Sequence, residues 1–145
     1  MRVVMVVTCA ALLTACTKAE DRRAANAPTI SLADVAGQWS MRTMREGSDS
    51  TLVTFGLVAT ADGAGWMMLA PNRDPIPMRV IAVDGDSIVT EAGPFESLLR
   101  PGVMVTTRVV NRLREGRLVG TLVARYATSG ADSVLYGRIE GTRAP

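Results

Sequence analysis

The sequence predicts an all-β domain, an eight-stranded antiparallel meander that closes into a small barrel and is preceded by a short helix. Runs with strand character follow one another from Gln38 onward, turns rich in Asp and Gly separate them, and several runs alternate apolar with polar residues. Asp-Gly between such runs is a strong hairpin signal. Mostly short turns require antiparallel neighbours, and closure is the usual protection for the edges of so long a meander.

The helix and the first half of the meander are marked by a cap and by turn residues. Ser31, with Asp34 three residues on, forms a variant of the capping box and predicts a helix over 31–36 that ends at Gly37. Strand-like runs then span 38–45, 51–61 and 66–69, and they end at Glu46-Gly47-Ser48-Asp49, Asp62-Gly63-Ala64-Gly65 and Pro71-Asn72-Arg73-Asp74-Pro75.

The second half of the meander contains five more runs. The run 77–83 turns at Asp84-Gly85-Asp86, and the run 87–91 leads into Gly93-Pro94. The last three runs span 102–113, 117–126 and 133–142, and they are joined by Glu115-Gly116 and Ser129-Gly130-Ala131-Asp132.

Alternation identifies the inner face of one strand but not of the next. In the run 102–113, Val103, Val105 and Val109 share one face, which is mostly apolar. In the run 117–126 both faces are fairly apolar, so periodicity alone does not choose the inside. Small residues on one face of the last two runs permit sharp coiling or close packing against a bulky neighbour; they are Gly120, Ala124, Gly137 and Gly141.

The first sixteen residues have the architecture of a secretory signal. Arg2 precedes an apolar stretch over 3–13, and Leu13-Thr14-Ala15-Cys16 follows. The stretch is shorter than the roughly 20 apolar residues of a membrane span. Leu13-Thr14-Ala15-Cys16 resembles the lipobox of bacterial lipoprotein precursors, which implies cleavage between Ala15 and Cys16 and acylation of Cys16. The alternative is an ordinary signal cleaved after Ala15.

The lipobox resemblance implies three segments and a location. Residues 1–15 form the signal peptide, 16–30 the lipidated cysteine with a flexible tether, and 31–145 the barrel domain. Two or three acyl chains suffice for stable anchoring. Thr17 is not the aspartate that holds lipoproteins at the inner membrane in enteric bacteria. The resemblance therefore implies an outer-membrane anchor in the cell envelope, with the domain facing the periplasm.

A second resemblance concerns the barrel. A short helix that leads into Gly37-Gln38-Trp39, at the start of the first of eight strands, resembles the lipocalin and calycin pattern over residues 32–143. The resemblance implies that Trp39 plugs the closed end of the barrel under an arginine from near the last strand, either Arg138 or Arg143, in a cation–π contact. The chain lacks the C-terminal helix of a full lipocalin. The alternative is that Trp39 is a core residue of another β-sheet.

The residue types present exclude several chemistries. The chain has no histidine, which is the commonest general base and metal ligand. Cys9 lies in the predicted signal, so Cys16 is the only thiol that remains, and cysteine-based zinc or redox chemistry is excluded. Asp84-Gly85-Asp86 is interpreted as a hairpin turn and not as a calcium loop. We expect no catalytic residue, no metal site and no cofactor, and therefore a protein that is not an enzyme.

The charges show no basic stripe. The chain has 16 basic and 14 acidic side chains, which disfavours nucleic acid as a partner. Arg108, Arg125 and Arg138 lie on the three C-terminal runs and are the candidate ligand-binding residues. If they point inward, they form a cationic floor for a carboxylate or phosphate, whereas outward they are solvated charges.

These observations predict a non-enzymatic envelope lipoprotein. The leading hypothesis is that it binds a small apolar or amphipathic ligand inside the barrel. The alternative is a protein-interaction module with a filled barrel, such as an envelope assembly factor or a periplasmic enzyme inhibitor. In that case the loops over 71–75 and 93–101 are the expected contact surface.

Overall fold

A computed structural model describes residues 28–145 as a closed antiparallel barrel of eight strands with one short helix. Each strand pairs with its neighbours in chain order, and the last pairs with the first. The predicted all-β barrel is thus confirmed. The elements are α1 (Leu32–Val35), β1 (Gly37–Arg45), β2 (Thr51–Ala59), β3 (Met67–Leu69), β4 (Ile76–Asp84), β5 (Ser87–Glu96), β6 (Met104–Arg114), β7 (Arg117–Tyr126), a 3₁₀ turn (Ala131–Ser133) and β8 (Val134–Arg143).

The predicted signal, its cleavage point, the lipid-attachment residue Cys16 and most of the tether lie outside the described residues. At the end of the predicted tether, Ile30 donates a backbone hydrogen bond to Gly85 O at 2.9 Å and packs against the core. Ile30 is therefore attached to the barrel. No helix in the described part of the chain is long and apolar enough to cross a membrane.

The helix forms as its cap predicts. Asp34 N donates to Ser31 Oγ at 3.4 Å, and Ser31 N donates to the Asp34 carboxylate at 2.8 Å. This reciprocal capping box satisfies two backbone donors that have no partner within the helix. The Ser31 hydroxyl also donates to the Asp34 carboxylate at 2.8 Å, and this bond, with that from Ser31 N, lowers the pKa of Asp34.

One strand is longer than predicted. The sequence predicts that the run 87–91 ends before Gly93-Pro94, but β5 continues to Glu96. The register to β6 shifts between Ala92 and Phe95, so Gly93 and Pro94 form a bulge and not a turn. Proline has no N–H to give to a ladder, and a bulge is one of the few places where a strand accepts it. The connection to β6 is therefore only the loop 97–103.

The barrel has two different ends. At the closed end lie α1, the loop 60–66 and the turns at 85–86 and 115–116. At the open end lie the turn 46–50 and the loops 70–75, 97–103 and 127–133. Below, closed end and open end refer to these two sets of segments.

The main core fills the half of the barrel nearest the closed end. Its members are fully or almost fully buried, namely Val35, Trp39, Met41, Leu57, Ala59, Trp66, Ile88, Val109, Leu118, Leu122 and Ile139. The one buried amide there, Asn111, donates to Ile88 O and to Thr90 Oγ1, both at 3.2 Å. Burial of a hydrogen-bonded amide lowers the stability of the fold little, whereas a buried amide without a partner would be destabilising.

Glycines on the inner face allow the strands to approach one another closely. A Cβ at Gly120 would overlap with the carbonyl oxygen of Val110, and one at Gly137 would lie 2.7 Å from Met44 O. A Cβ at Gly141 would overlap with the sulfur of Met41. The close packing that the sequence indicated is therefore realised at these three glycines, with Gly120 and Gly141 in the half that holds the main core and Gly137 near the open end.

Candidate functional site

An apolar cavity of about 80 Å³ lies inside the barrel towards the open end. None of its lining residues carries a charge, and the polar ones contribute only hydroxyl groups. The lining comes from β1 to β8 and from the start of the loop 97–103: Thr43, Val53, Phe55, Met68, Met78, Phe95, Ser97, Leu98, Leu99, Val105, Thr107, Val109, Leu122, Ala124, Tyr126, Leu135 and Ile139.

The cavity is small compared with ordinary ligand sites, which measure roughly 300–1,000 Å³. An apolar cavity of about 150 Å³ is known to admit benzene. At about 80 Å³, the cavity holds only a few non-hydrogen atoms. A longer ligand requires Leu98 and Leu99, which cover it from the loop 97–103, to move outward.

The loop 97–103 is folded by its own hydrogen bonds. Ser97 is 3% exposed, and its Oγ accepts from the backbone N–H groups of Leu99 at 3.0 Å and Arg100 at 3.1 Å. Ser97 N donates to Val103 O at 2.8 Å, and Gly102 N donates to Glu96 Oε1 at 2.9 Å. All of these bonds join residues within 96–103.

Two arginines attach this loop to its neighbours. The Arg100 guanidinium lies 4.0 Å from the centre of the Tyr126 ring, a cation–π distance, and donates to Asp132 O at 2.7 Å. On the other side, Arg73 donates to Glu96 O at 2.5 Å. No local sequence pattern indicates these contacts, because they join residues 23 to 32 positions apart.

The three candidate ligand-binding arginines lie on the outer face of the barrel. Arg108 and Arg125 are exposed, and each alternates with cavity-lining neighbours on its strand. Arg138 donates to Asp49 Oδ1 at 2.7 Å and to Ser48 O at 3.1 Å, at the turn 46–50. The hypothesis that these arginines form a cationic floor inside the barrel is therefore wrong, because strand alternation directs their side chains away from the cavity.

Trp39 fills the closed end of the barrel. The indole is 1% exposed and donates from Nε1 to Val35 O at 2.8 Å. Arg143 covers it, with the guanidinium 4.5 Å from the ring centre, and donates to Asp34 O and Ala36 O, both at 2.8 Å. Of the two arginines proposed from the sequence for this place, Arg143 occupies it and Arg138 lies at the open end.

Gly37 is required by this arrangement. Its φ is +131°, which L side chains rarely adopt, and a Cβ there would lie 2.9 Å from the Arg143 guanidinium. Gly37 thus allows Arg143 to reach the carbonyls at the end of α1. This explains physically why glycine precedes Trp39 by two positions.

Several carboxylates on the outer face of the barrel are ion-paired. Glu140 accepts from Arg42 at 2.6 Å and from Arg117 at 3.2 Å, and the hydrogen bond from Arg42 is the main cause that lowers its pKa. Asp86 pairs with Arg114 and Arg112, and the bonds from Arg114 and Ser87 lower its pKa to about 2. Lowered pKa values keep these groups ionised, whereas a general acid needs a raised one.

Within residues 28–145 no group of three or more His, Cys, Asp or Glu side chains is placed to hold a metal ion. Every buried side-chain nitrogen and oxygen in the same range has a hydrogen-bond partner. The apolar cavity under the loop 97–103 is thus the feature of the described barrel with the clearest capacity to hold a ligand. No family model, curated protein or solved structure matches the chain.

Proposed function

We propose that the protein is a lipid-anchored binding module of the cell envelope that takes a small apolar or amphipathic ligand into the open end of its barrel. The observation that carries the proposal is the cavity of about 80 Å³, lined by apolar side chains and covered by a loop folded by its own bonds. Burial of apolar surface supplies the affinity, at roughly 25 cal/mol per Å².

The form of the cavity favours a narrow ligand, such as a single acyl chain. Leu98 and Leu99 of the loop 97–103 line the cavity at the open end, where a chain would enter. Arg73 and Arg100 lie at the rim, where both donate to carbonyl oxygens and Arg100 also contacts the Tyr126 ring. Among residues 28–145 neither is in a salt bridge. An amphipathic ligand would place its apolar part among the lining residues and an anionic head group beside these cations.

The lipobox-like Leu13-Thr14-Ala15-Cys16 supports an anchored role. A ligand carrier held by acyl chains stays at the membrane where apolar molecules are abundant. We therefore place the binding module in the envelope, on the periplasmic side of the outer membrane, with the lipid attached at Cys16.

A second candidate is a protein-interaction module, and the small size of the cavity favours it. Side chains fill most of the interior, as in small barrels without a ligand. In that case the contact surface is formed by the open-end loops over 71–75 and 97–101.

The test measures binding of cis-parinaric acid, a fluorescent fatty acid, to the purified, delipidated protein. We expect saturable fluorescence enhancement, and acyl lipids in the mass spectrum of the extract removed during delipidation. Ala124→Leu fills the cavity and should weaken binding about tenfold or more. Thr121→Leu, on the exposed face of the same strand, is the matched control and should bind like the wild type.

The outcomes separate the two candidates. If parinaric acid shows no saturable binding and no lipid co-purifies, the ligand-binding proposal fails and the interaction module remains. If Ala124→Leu and Thr121→Leu bind equally well, the ligand does not occupy this cavity. Circular dichroism of both variants verifies that the barrel is intact.

A further inference from the structure

The barrel has an incompletely paired seam between β3 and β4. β3 pairs with β4 only through Met67 and Met68, and the last bond across the seam runs from Met78 N to Trp66 O at 2.9 Å. β4 continues to Asp84, paired with β5 on its other side. Within residues 28–145, the segment 79–84 has no backbone partner on the β3 side.

This segment exposes apolar side chains at a strand edge. Residues 81–84 are all exposed, and Ile81 and Val83 are each 44% exposed. An exposed, apolar edge strand is a template for pairing with another strand, which natural proteins usually block with charge or proline. Here the charges lie only at its two ends, with Arg79 at one and Asp84 at the other.

The bulge in β4 determines which backbone groups point away from β5. Successive N–H groups of a strand point to opposite sides, so the bond of Met78 to Trp66 directs the N–H of Val80 to the same outer side. The register to β5 shifts between Val80 and Ala82, which moves the alternation by one residue. Val83 is therefore the next residue whose N–H and C=O point outward.

We propose that a second copy of this chain pairs with residues 79–84, antiparallel, about a two-fold axis between Ile81 and Ala82. In that register Val80 faces the partner's Val83, and Val83 faces the partner's Val80, so the outward backbone groups of both chains meet. Ile81 lies against the partner's Ala82. A two-fold contact of this kind uses the same surface on both subunits and closes at two copies.

The charges make this segment complementary to itself. In the same register Arg79, which is ion-paired with Glu91 of its own chain and 67% exposed at its side chain, lies opposite the partner's Asp84. This second pairing occurs twice by symmetry. Opposite charges across strands stabilise a pair, whereas like charges opposite one another are repulsive. Because the segment has a cation at one end and an anion at the other, antiparallel pairing with a second copy places opposite charges against each other at both ends. The ligand cavity is not part of this contact, so the inference does not depend on the proposed function.

The test is the oligomeric state of the full-length protein, by sedimentation velocity over a range of concentrations. We expect a concentration-dependent dimer. Asp84→Arg places Arg opposite the partner's Arg79 and should raise the dimer Kd about tenfold or more. Combining Arg79→Asp with Asp84→Arg restores opposite charges and should restore the dimer. Tyr136→Lys is a control at an exposed position of β8, 55% exposed, and should leave the dimer unchanged.

Ile81→Lys provides a second disruption at the centre of the edge and should give a monomer. A wild-type protein that stays monomeric at all concentrations overturns the proposal, and so does a dimer that survives both Ile81→Lys and Asp84→Arg. Slow hydrogen exchange at the Val80 and Val83 amides of a monomer also overturns it, because the edge is then covered by another part of the same chain.

Discussion

The two ends of the barrel are built from different kinds of contact. At the closed end, Trp39 and Trp66 are each 1% exposed and donate their indole N–H groups to Val35 O and Thr60 O. At the open end, smaller clusters surround a cavity, and a short loop covers it. The difference indicates that dense packing at one end stabilises the fold while the other end retains space that can be occupied.

The largest expected effect comes from removing the closed-end tryptophan. Trp39→Ala should lower the free energy of unfolding by about 3–5 kcal/mol, because it leaves a large cavity in the main core. Phe95→Ala, at the partly buried cavity wall, should cost only about 1–2 kcal/mol. Urea denaturation of both variants measures the difference. Equal losses would contradict the division between the ends.

A smaller effect is expected from two substitutions on the inner face of β7. Gly120→Ala forces a Cβ against the carbonyl oxygen of Val110 and should cost about 1–3 kcal/mol. Ala124→Leu adds more atoms but extends into the cavity, so it should cost less than Gly120→Ala. Thermal unfolding of the two variants ranks them. A greater loss in Ala124→Leu would show that the open half is packed as tightly as the closed half.

The third comparison concerns two arginines of β8 at opposite ends. Arg143 binds two backbone carbonyls and the Trp39 ring, and Arg143→Ala should cost about 1–2 kcal/mol. Arg138 pairs mainly with Asp49, whose side chain is 98% exposed, and Arg138→Ala should cost less than about 0.5 kcal/mol. Chemical denaturation distinguishes the two, and a larger cost for Arg138→Ala would reverse the assignment of the closing arginine.

The smallest effect is a pH dependence at the closed-end turn. Asp86 has a pKa of about 2 in the folded protein, below its ordinary value of 3.8, because Arg114 and Ser87 donate to it. Its contribution to stability is therefore present above the unfolded pKa and is lost as the pH falls through about 2. In acid denaturation, the difference in stability between wild type and Asp86→Asn should therefore shrink as the pH falls from 3.8 to about 2. A difference that stays constant would show that Asp86 is not stabilised by these partners.

Much of the fold follows from turn residues. Glu115 and Gly116 both adopt positive φ, +50° and +75°, as a two-residue hairpin requires, and the structure has β6 and β7 on either side of them. Gly93-Pro94 shows the limit of such signals, since the same residues suit a turn or a bulge. Here they form a bulge because Phe95 pairs with Val105, ten positions away. The local sequence does not contain that information.

The candidate site was less predictable than the fold. The fold of the whole barrel decides which face of β7 points inward, since Val119 and Val123 make its outer face nearly as apolar. The sequence alone therefore does not decide the direction of Arg125. The cavity depends on where the loop 97–103 places Leu98 and Leu99. That placement is fixed by Arg73 and Arg100 through distant carbonyl and ring contacts, which no local pattern indicates.

The most direct test of the division between the two ends is an NMR titration of the methyl-labelled protein with a medium-chain fatty acid. We expect saturable shifts in the methyl signals of Leu98, Leu99 and Ala124. The indole N–H signals of Trp39 and Trp66 should not move. Methyl signals that stay unchanged at saturating ligand, or shifts centred on the two indoles, would contradict a binding site at the open end.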